Sequence, residues 1–108
     1  MKPQLHFYFD SKSLFNSLNN NANPELFKCH DKSDEYVCFV SVDSSEDLNS
    51  FLELLKSISG FSVEEIKELT NEIWDGYGFD ALCEHFDEDT SNQILDESWE
   101  YLEGLFNN

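Results

Sequence analysis

Along Leu5 to Phe9 ("LHFYF"), apolar Leu5, Phe7 and Phe9 alternate with His6 and Tyr8. That period of two predicts a strand with one buried face. In "DSKSLFNSLNN" the period lengthens: Leu14, Phe15 and Leu18 share one side of a short helix, with Asp10 placed to cap it. "NNNANP" reads as a loop by composition. "ELFKCH" and "EYVCFVSV" then predict a hairpin turning at Asp31 to Asp34, which would set Cys29 opposite Tyr36 and Cys38 opposite Phe27. Its second strand is apolar on both faces, with Tyr36, Cys38, Val40 and Val42 on one and Val37 and Phe39 on the other. A strand covered on both sides belongs in the middle of a sheet.

From Ser44 onward the pattern is helical. Leu48, Phe51, Leu52, Leu55 and Ile58 recur at helical spacing, and Gly60 supplies a stop. "FSVEEIKELTNEIWDGYG" opens with a capping box, Ser62 and Glu65, and Phe61 and Ile66 occupy the positions of a hydrophobic staple. At about 100° per residue, Ile66, Leu69, Ile73 and Tyr77 form one inward arc, and Gly76 and Gly78 end or bend the helix around Tyr77. "FDALCEHF" predicts a short helix. "TSNQILDESWEYLEGLF" predicts a last long one, opened by a second box at Thr90 and Gln93, with Leu95, Trp99, Leu102 and Phe106 inward. The whole reads as α+β: a small antiparallel sheet of two to three strands from the N-terminal half, packed against four to five mostly C-terminal helices. With no internal repeat and no long linker, residues 1–108 are expected to form a single acidic globular domain.

Charge changes this picture most. The chain holds 23 acids, six lysines and no arginine, for a formal charge of −17. Solubility alone asks for a magnitude of only about 2–8 in a small domain. After Lys67 there are twelve acids and no lysine or arginine over 41 residues. On the third long helix Glu64, Glu68, Glu72 and Asp75 lie opposite the apolar arc, with Glu65 beside them. On the last, Asp96, Glu97, Glu100 and Glu103 face away from the core, and Asp80, Glu84, Asp87, Glu88 and Asp89 lie between. Like charges one turn apart cost about 0.2–0.5 kcal/mol per pair. A single charged helix is usually just a solvated face. A row of one sign, repeated on two helices with its counter-charges missing, points instead to a partner that supplies them. Trp74, on the flank between apolar and acidic arcs, could anchor such an interface or seal the core edge. Tyr77, between two glycines, joins the same candidate surface.

Rival chemistries fit poorly. "DEDTSNQILDES" can be laid on a calcium loop, but Asn92 stands where the turn glycine belongs and Ser98 where the bidentate glutamate belongs. Cys29, His30, Cys38, Cys83 and His85 do not converge as zinc ligands under the expected hairpin register, so no metal or cofactor is expected. Serine-hydrolase, phosphate-loop and zinc-protease motifs are missing, and no catalytic residue is assigned. Nucleic acid and anionic membranes are poor partners for so anionic a chain, and no stretch approaches a membrane span. The N-terminus lacks the apolar run of a signal peptide, and three cysteines without a CxxC suit reduced, mostly buried thiols in the cytoplasm.

In size and charge the chain resembles the acidic immunity proteins that bacteria hold against nuclease toxins, and the DNA-mimic proteins of phages. The likeness covers no alignable motif and carries no residue across. It implies an inhibitor that occludes a basic nucleic-acid-processing enzyme, with the immunity reading ahead of a phage anti-restriction or anti-CRISPR protein. A non-catalytic adaptor for another basic protein is the further alternative.

Overall fold

Alternation along the first segment does produce a strand, β1 (Gln4–Phe9), with Leu5, Phe7 and Phe9 buried. The computed structural model describes residues 3–21, 26–33 and 35–105, so Asp34, Phe106 and Ala22 to Pro24 of "NNNANP" lie outside the described residues, while Asn19 and Asn20, read as loop, end the first helix. Helix α1 (Lys12–Asn20) follows, then β2 (Phe27–Lys32) and β3 (Glu35–Ser41). The three strands are antiparallel in the order β1-β3-β2, so the strand with two apolar faces is indeed central. The fold is α+β, with the sheet in the N-terminal half and six helices among the described residues.

The core face of the sheet carries Leu5, Phe7, Phe9, Tyr36, Cys38, Val40, Phe27 and Cys29. Helix α2 (Ser45–Ser59) lies over it, burying Leu48, Phe51, Leu52 and Leu55. Each such side chain contributes about 1.5–3 kcal/mol of hydrophobic stabilisation, so this contact anchors the domain. Glu46 and Asp47 in the first turn and Lys56 in the last complement the helix dipole. Gly60, at φ 69°, ends the helix in the left-handed conformation that a glycine adopts without strain.

Four local expectations need correction. The cap of α1 is Ser11, not Asp10: its hydroxyl accepts from the Leu14 backbone N–H at 3.1 Å. The β2–β3 hairpin closes between Lys32 and Glu35, one residue later than read from sequence, which shifts each partner on β3 by two positions. Cys29 therefore faces Cys38, and Phe27 faces Val40. The last helix, α6 (Glu88–Gly104), starts before Thr90 and is capped by Asp87, whose Oδ1 accepts from the Thr90 N–H at 2.7 Å. The side chain three positions before Thr90 reaches that N–H, so the helix begins a turn earlier than a box at Thr90 and Gln93 implies.

The fourth correction is the largest. The single third helix is three pieces: α3 (Val63–Leu69), α4 (Asn71–Trp74) and α5 (Gly76–Cys83). Thr70 is fully buried, and its hydroxyl donates to the Ile66 carbonyl oxygen at 2.6 Å while accepting from Trp74 Nε1 at 3.1 Å. That local bonding competes with continued helix. Asp75 then turns to extended backbone and caps α5 by accepting from the Tyr77 N–H at 2.9 Å. Gly78 is buried against the Ile73 carbonyl, which lets α5 fold back on α4. Ile66 and Ile73 keep their inward places, but Tyr77 leaves the arc and is 70% exposed. α4 and α5 pack against β1, touching Leu5 on one face of the strand and His6 on the other, and so cover that edge of the sheet.

The capping box at the start of α3 is formed as read. Ser62 Oγ accepts from the Glu65 N–H at 3.2 Å and Glu65 Oε1 accepts from the Ser62 N–H at 3.2 Å. Ser62→Ala should therefore lower the unfolding free energy by about 1 kcal/mol in a urea titration. A cost near zero would mean that water replaces the cap without loss.

Candidate anionic interface

Most of the exposed candidate carboxylates come from α3, α5 and α6, and each helix positions them for its own reason; Asp10, Asp31, Glu35, Asp43, Glu46 and Glu53 are exposed elsewhere on the molecule. On α3, Ile66 is the buried residue, so Glu64 and Glu68 project opposite it into solvent. Lys67 leans the other way. Its Nζ lies 3.5 Å from Glu103 Oε2, 4.0 Å from Glu64 Oε1 and 4.6 Å from the centroid of the Trp99 ring. One lysine thus joins α3 to the far end of α6 and partly neutralises two of the candidate acids. Both pairs are solvent-facing, with Glu64 84% and Glu103 50% exposed at the side chain, so each adds at most about 1 kcal/mol.

Under that lysine the two tryptophans meet. Trp74 and Trp99 stand edge to face with ring centroids 5.4 Å apart, both half-buried. Trp99 is therefore at the rim of the core, and Trp74 both seals that rim and presents an edge outward. Together with Leu95 and Asp96 they line a shallow concavity between α4 and α6.

Along α6 the buried residues Ser91, Ile94, Leu95, Ser98 and Leu102 define the inward side. At about 100° per residue, Asp89, Asp96, Glu100 and Glu103 fall within about 60° of one another on the opposite side, and all four are exposed. Glu97 turns towards α2 and accepts from Ser45 Oγ at 3.1 Å. Glu88 is exposed in the first turn, where its charge favours the helix N-terminus. Asp87 is exposed but engaged as the cap, and the bonds from Thr90 hold its carboxyl below the usual aspartate range. At the α2–α6 contact the Glu53 carboxylate accepts from the Tyr101 hydroxyl and pushes the phenol pKa up.

The remaining candidates are placed less uniformly. Asp75 caps α5; with Gly76, Tyr77 and Asp80 it lines a second shallow depression. Glu84 is exposed just past the end of α5. Glu72 leaves the predicted row altogether. It is half-buried, and its Oε2 is enclosed without a hydrogen-bond partner among the described residues, in a crevice lined by Leu5, His6, Tyr77, Gly78 and Ala81. The break at Thr70 rotates it there, and a polar residue in the middle of the apolar arc was the sequence signal for that break.

Apart from Lys67, the described lysines lie elsewhere. Lys28 and Lys32 are exposed on β2, Lys12 on α1, and Lys56 donates to the Leu105 carbonyl at 2.8 Å. Around the tryptophan seam, then, Asp96 lines the concavity and Lys67, over Trp99, holds Glu103 and Glu64 nearby, while Glu68 lines a separate depression with Phe61, Glu65 and Leu69. Carboxylates beside exposed aromatic edges suit a guanidinium or ammonium group, which can pair with the first and pack on the second. Sequence reading found the acids and flagged Trp74, but not the Trp74–Trp99 pairing, which depends on how α4 is set after the break.

Among the described residues no group of three or more His, Cys, Asp or Glu side chains is arranged to hold a metal ion. The "DEDTSNQILDES" segment is helical from Glu88 onward, with Asp89 exposed and Ser91 buried, so its oxygens diverge. No described helix is long and apolar enough to cross a membrane. Compared with known proteins, the chain matches no family model, no curated protein sequence and no solved structure.

Proposed function

We propose that this protein is a stoichiometric inhibitor that docks its C-terminal helices on the basic surface of a nucleic-acid-processing enzyme, most simply as a cytoplasmic immunity protein against a nuclease toxin. The observation that carries this reading is the tryptophan seam with exposed Asp96, Glu103 and Glu64 beside it, in a chain with twelve acids and no lysine or arginine after Lys67. The acids attract a cationic partner over a distance and the aromatic pair gives it something to pack on. An enzyme surface built to hold phosphates carries the lysines and arginines that this patch lacks. The aromatic centre supports a fit to a protein cleft more than an imitation of a phosphate track, which favours the immunity reading over the DNA mimic.

The test is association with a basic nuclease domain, followed by surface plasmon resonance and by nuclease inhibition. Association should be fast at low salt and slow steeply as ionic strength rises. Asp96→Lys combined with Glu100→Lys, two exposed positions on the outer side of α6 of which Asp96 lines the seam, should slow it about tenfold while leaving thermal unfolding nearly unchanged. Glu72 is a poor probe, because reversal there disturbs the crevice beside β1. An unchanged on-rate for the double variant would remove this surface from the interface. A panel of basic nucleases that all fail to bind at low salt would end the inhibitor reading.

A further inference from the structure

We propose that Cys29 and Cys38 are a thiol pair that closes reversibly into a disulfide across the β2–β3 hairpin on meeting a small-molecule disulfide such as glutathione disulfide. The inference stands apart from the docking surface and from any choice of partner.

Register is the first support: the two cysteines are directly opposite on neighbouring antiparallel strands. The kind of pairing is the second. The Ser41 backbone N–H donates to the Leu26 carbonyl at 2.7 Å, so positions 26 and 41 form a hydrogen-bonded pair in this ladder. Bonded and non-bonded pairs alternate along antiparallel strands, which makes 27/40 and 29/38 non-bonded pairs. In such pairs the Cα atoms approach to about 4.5 Å and the side chains are at their closest, inside the span of about 4.4–6.8 Å that a disulfide bridges. Both side chains lie on the same face of the sheet, among Phe7, Phe27 and Val40.

Access and reactivity are divided between the two. Cys29 is half-buried on the edge strand, whereas Cys38 is fully buried on the central one. The Cys38 S–H donates to the Cys29 sulfur and lowers the Cys29 pKa, while that donated hydrogen bond, and then burial, push Cys38 up. Cys29 is thus the attacking thiol and Cys38 the resolving one. In the first step the Cys29 thiolate attacks one sulfur of glutathione disulfide, the S–S bond breaks, and one glutathione thiolate leaves. In the second, the Cys38 sulfur attacks Cys29 Sγ in the mixed disulfide and its proton passes to the second departing glutathione. Two protein thiols are oxidised and one glutathione disulfide is reduced to two glutathiones. The bond ties edge strand β2 to β3, and excess small thiol reaches Cys29 and reopens it. Cys83, on α5 at the opposite edge of the sheet beside β1, stays outside the exchange.

The test treats the full chain, natively folded, with excess glutathione disulfide, then blocks free thiols and maps peptides by mass. The expected product is an intramolecular Cys29–Cys38 link, lighter by two hydrogens, reversed by dithiothreitol and formed equally by Cys83→Ser. Cys29→Ser, at a half-exposed site that tolerates the change, should leave Cys38 unmodified, with far-ultraviolet circular dichroism confirming the fold. A stable glutathione adduct on Cys29 that Cys38 never displaces would overturn the proposal. So would two free thiols after prolonged exposure, or a link found only to Cys83 or between molecules.

Discussion

Phe51→Ala should lower the free energy of unfolding by about 4 kcal/mol, the largest single loss expected in the core. The ring is fully buried on α2, and its centroid lies 5.5 Å from that of Phe27 and 5.8 Å from that of Phe7. Those two rings come from β2 and β1, so one side chain ties the helix to both outer strands of the sheet. Truncation removes the apolar surface and both ring contacts, and the rigid strands beneath limit collapse into the space. Small domains are stable by only about 5–15 kcal/mol, so the variant should unfold at a much lower urea concentration with an unchanged slope. A loss below about 1 kcal/mol would mean that α2 moves in to fill the gap, and that the aromatic contacts are not the anchor.

Gly78→Ala should cost more than about 3 kcal/mol, against the usual trend. In a helix interior the change from glycine to alanine normally gains up to about 1 kcal/mol. Here a β-carbon would overlap the Ile73 carbonyl oxygen and carbon, both backbone atoms of α4 that no side-chain rotation can clear. The α4–α5 corner must open, drawing Ile73 and Leu82 apart in the core and loosening Glu72 in its crevice. Gly104→Ala is the control. It sits in the last turn of α6 with nothing within 4 Å of the added carbon, and should be neutral or slightly stabilising. Chemical denaturation of the two variants should give opposite signs. If both stabilise, the close approach of α5 to α4 is wrong.

The same corner shows what the sequence could and could not reveal. The two-faced apolar strand, the α2 stripe and the Ser62–Glu65 box were legible because each is a local pattern enforced by local physics. The break after Leu69 was not, because Ile66, Leu69 and Ile73 keep helical spacing across it, and their periodicity survives an interruption it cannot register. Thr70 inside the apolar arc was the mark of it, whereas the second interruption, at Asp75, falls where Gly76 and Gly78 were read as ending or bending the helix. The hairpin register failed for a different reason: turn position fixes pairing, and the charged or polar residues around Asp31 to Glu35 allow a two-residue turn at either of two places. Of the candidate acids, those with no structural task were read as they stand. Asp75 and Asp87 turned out to serve as caps, and Glu72 to face inward.

The edge position of β2, outermost in the order β1-β3-β2, has a consequence for behaviour at high concentration. Sheets with an uncovered strand invite a neighbouring molecule to add its own, the first step towards fibres. At one margin α4 and α5 occupy that position beside β1. At the other, Lys28, His30, Asp31 and Lys32 crowd the strand with exposed, mostly charged side chains that an incoming copy would have to strip of water. Few as they are, the lysines of this acidic chain include two where they discourage polymerisation.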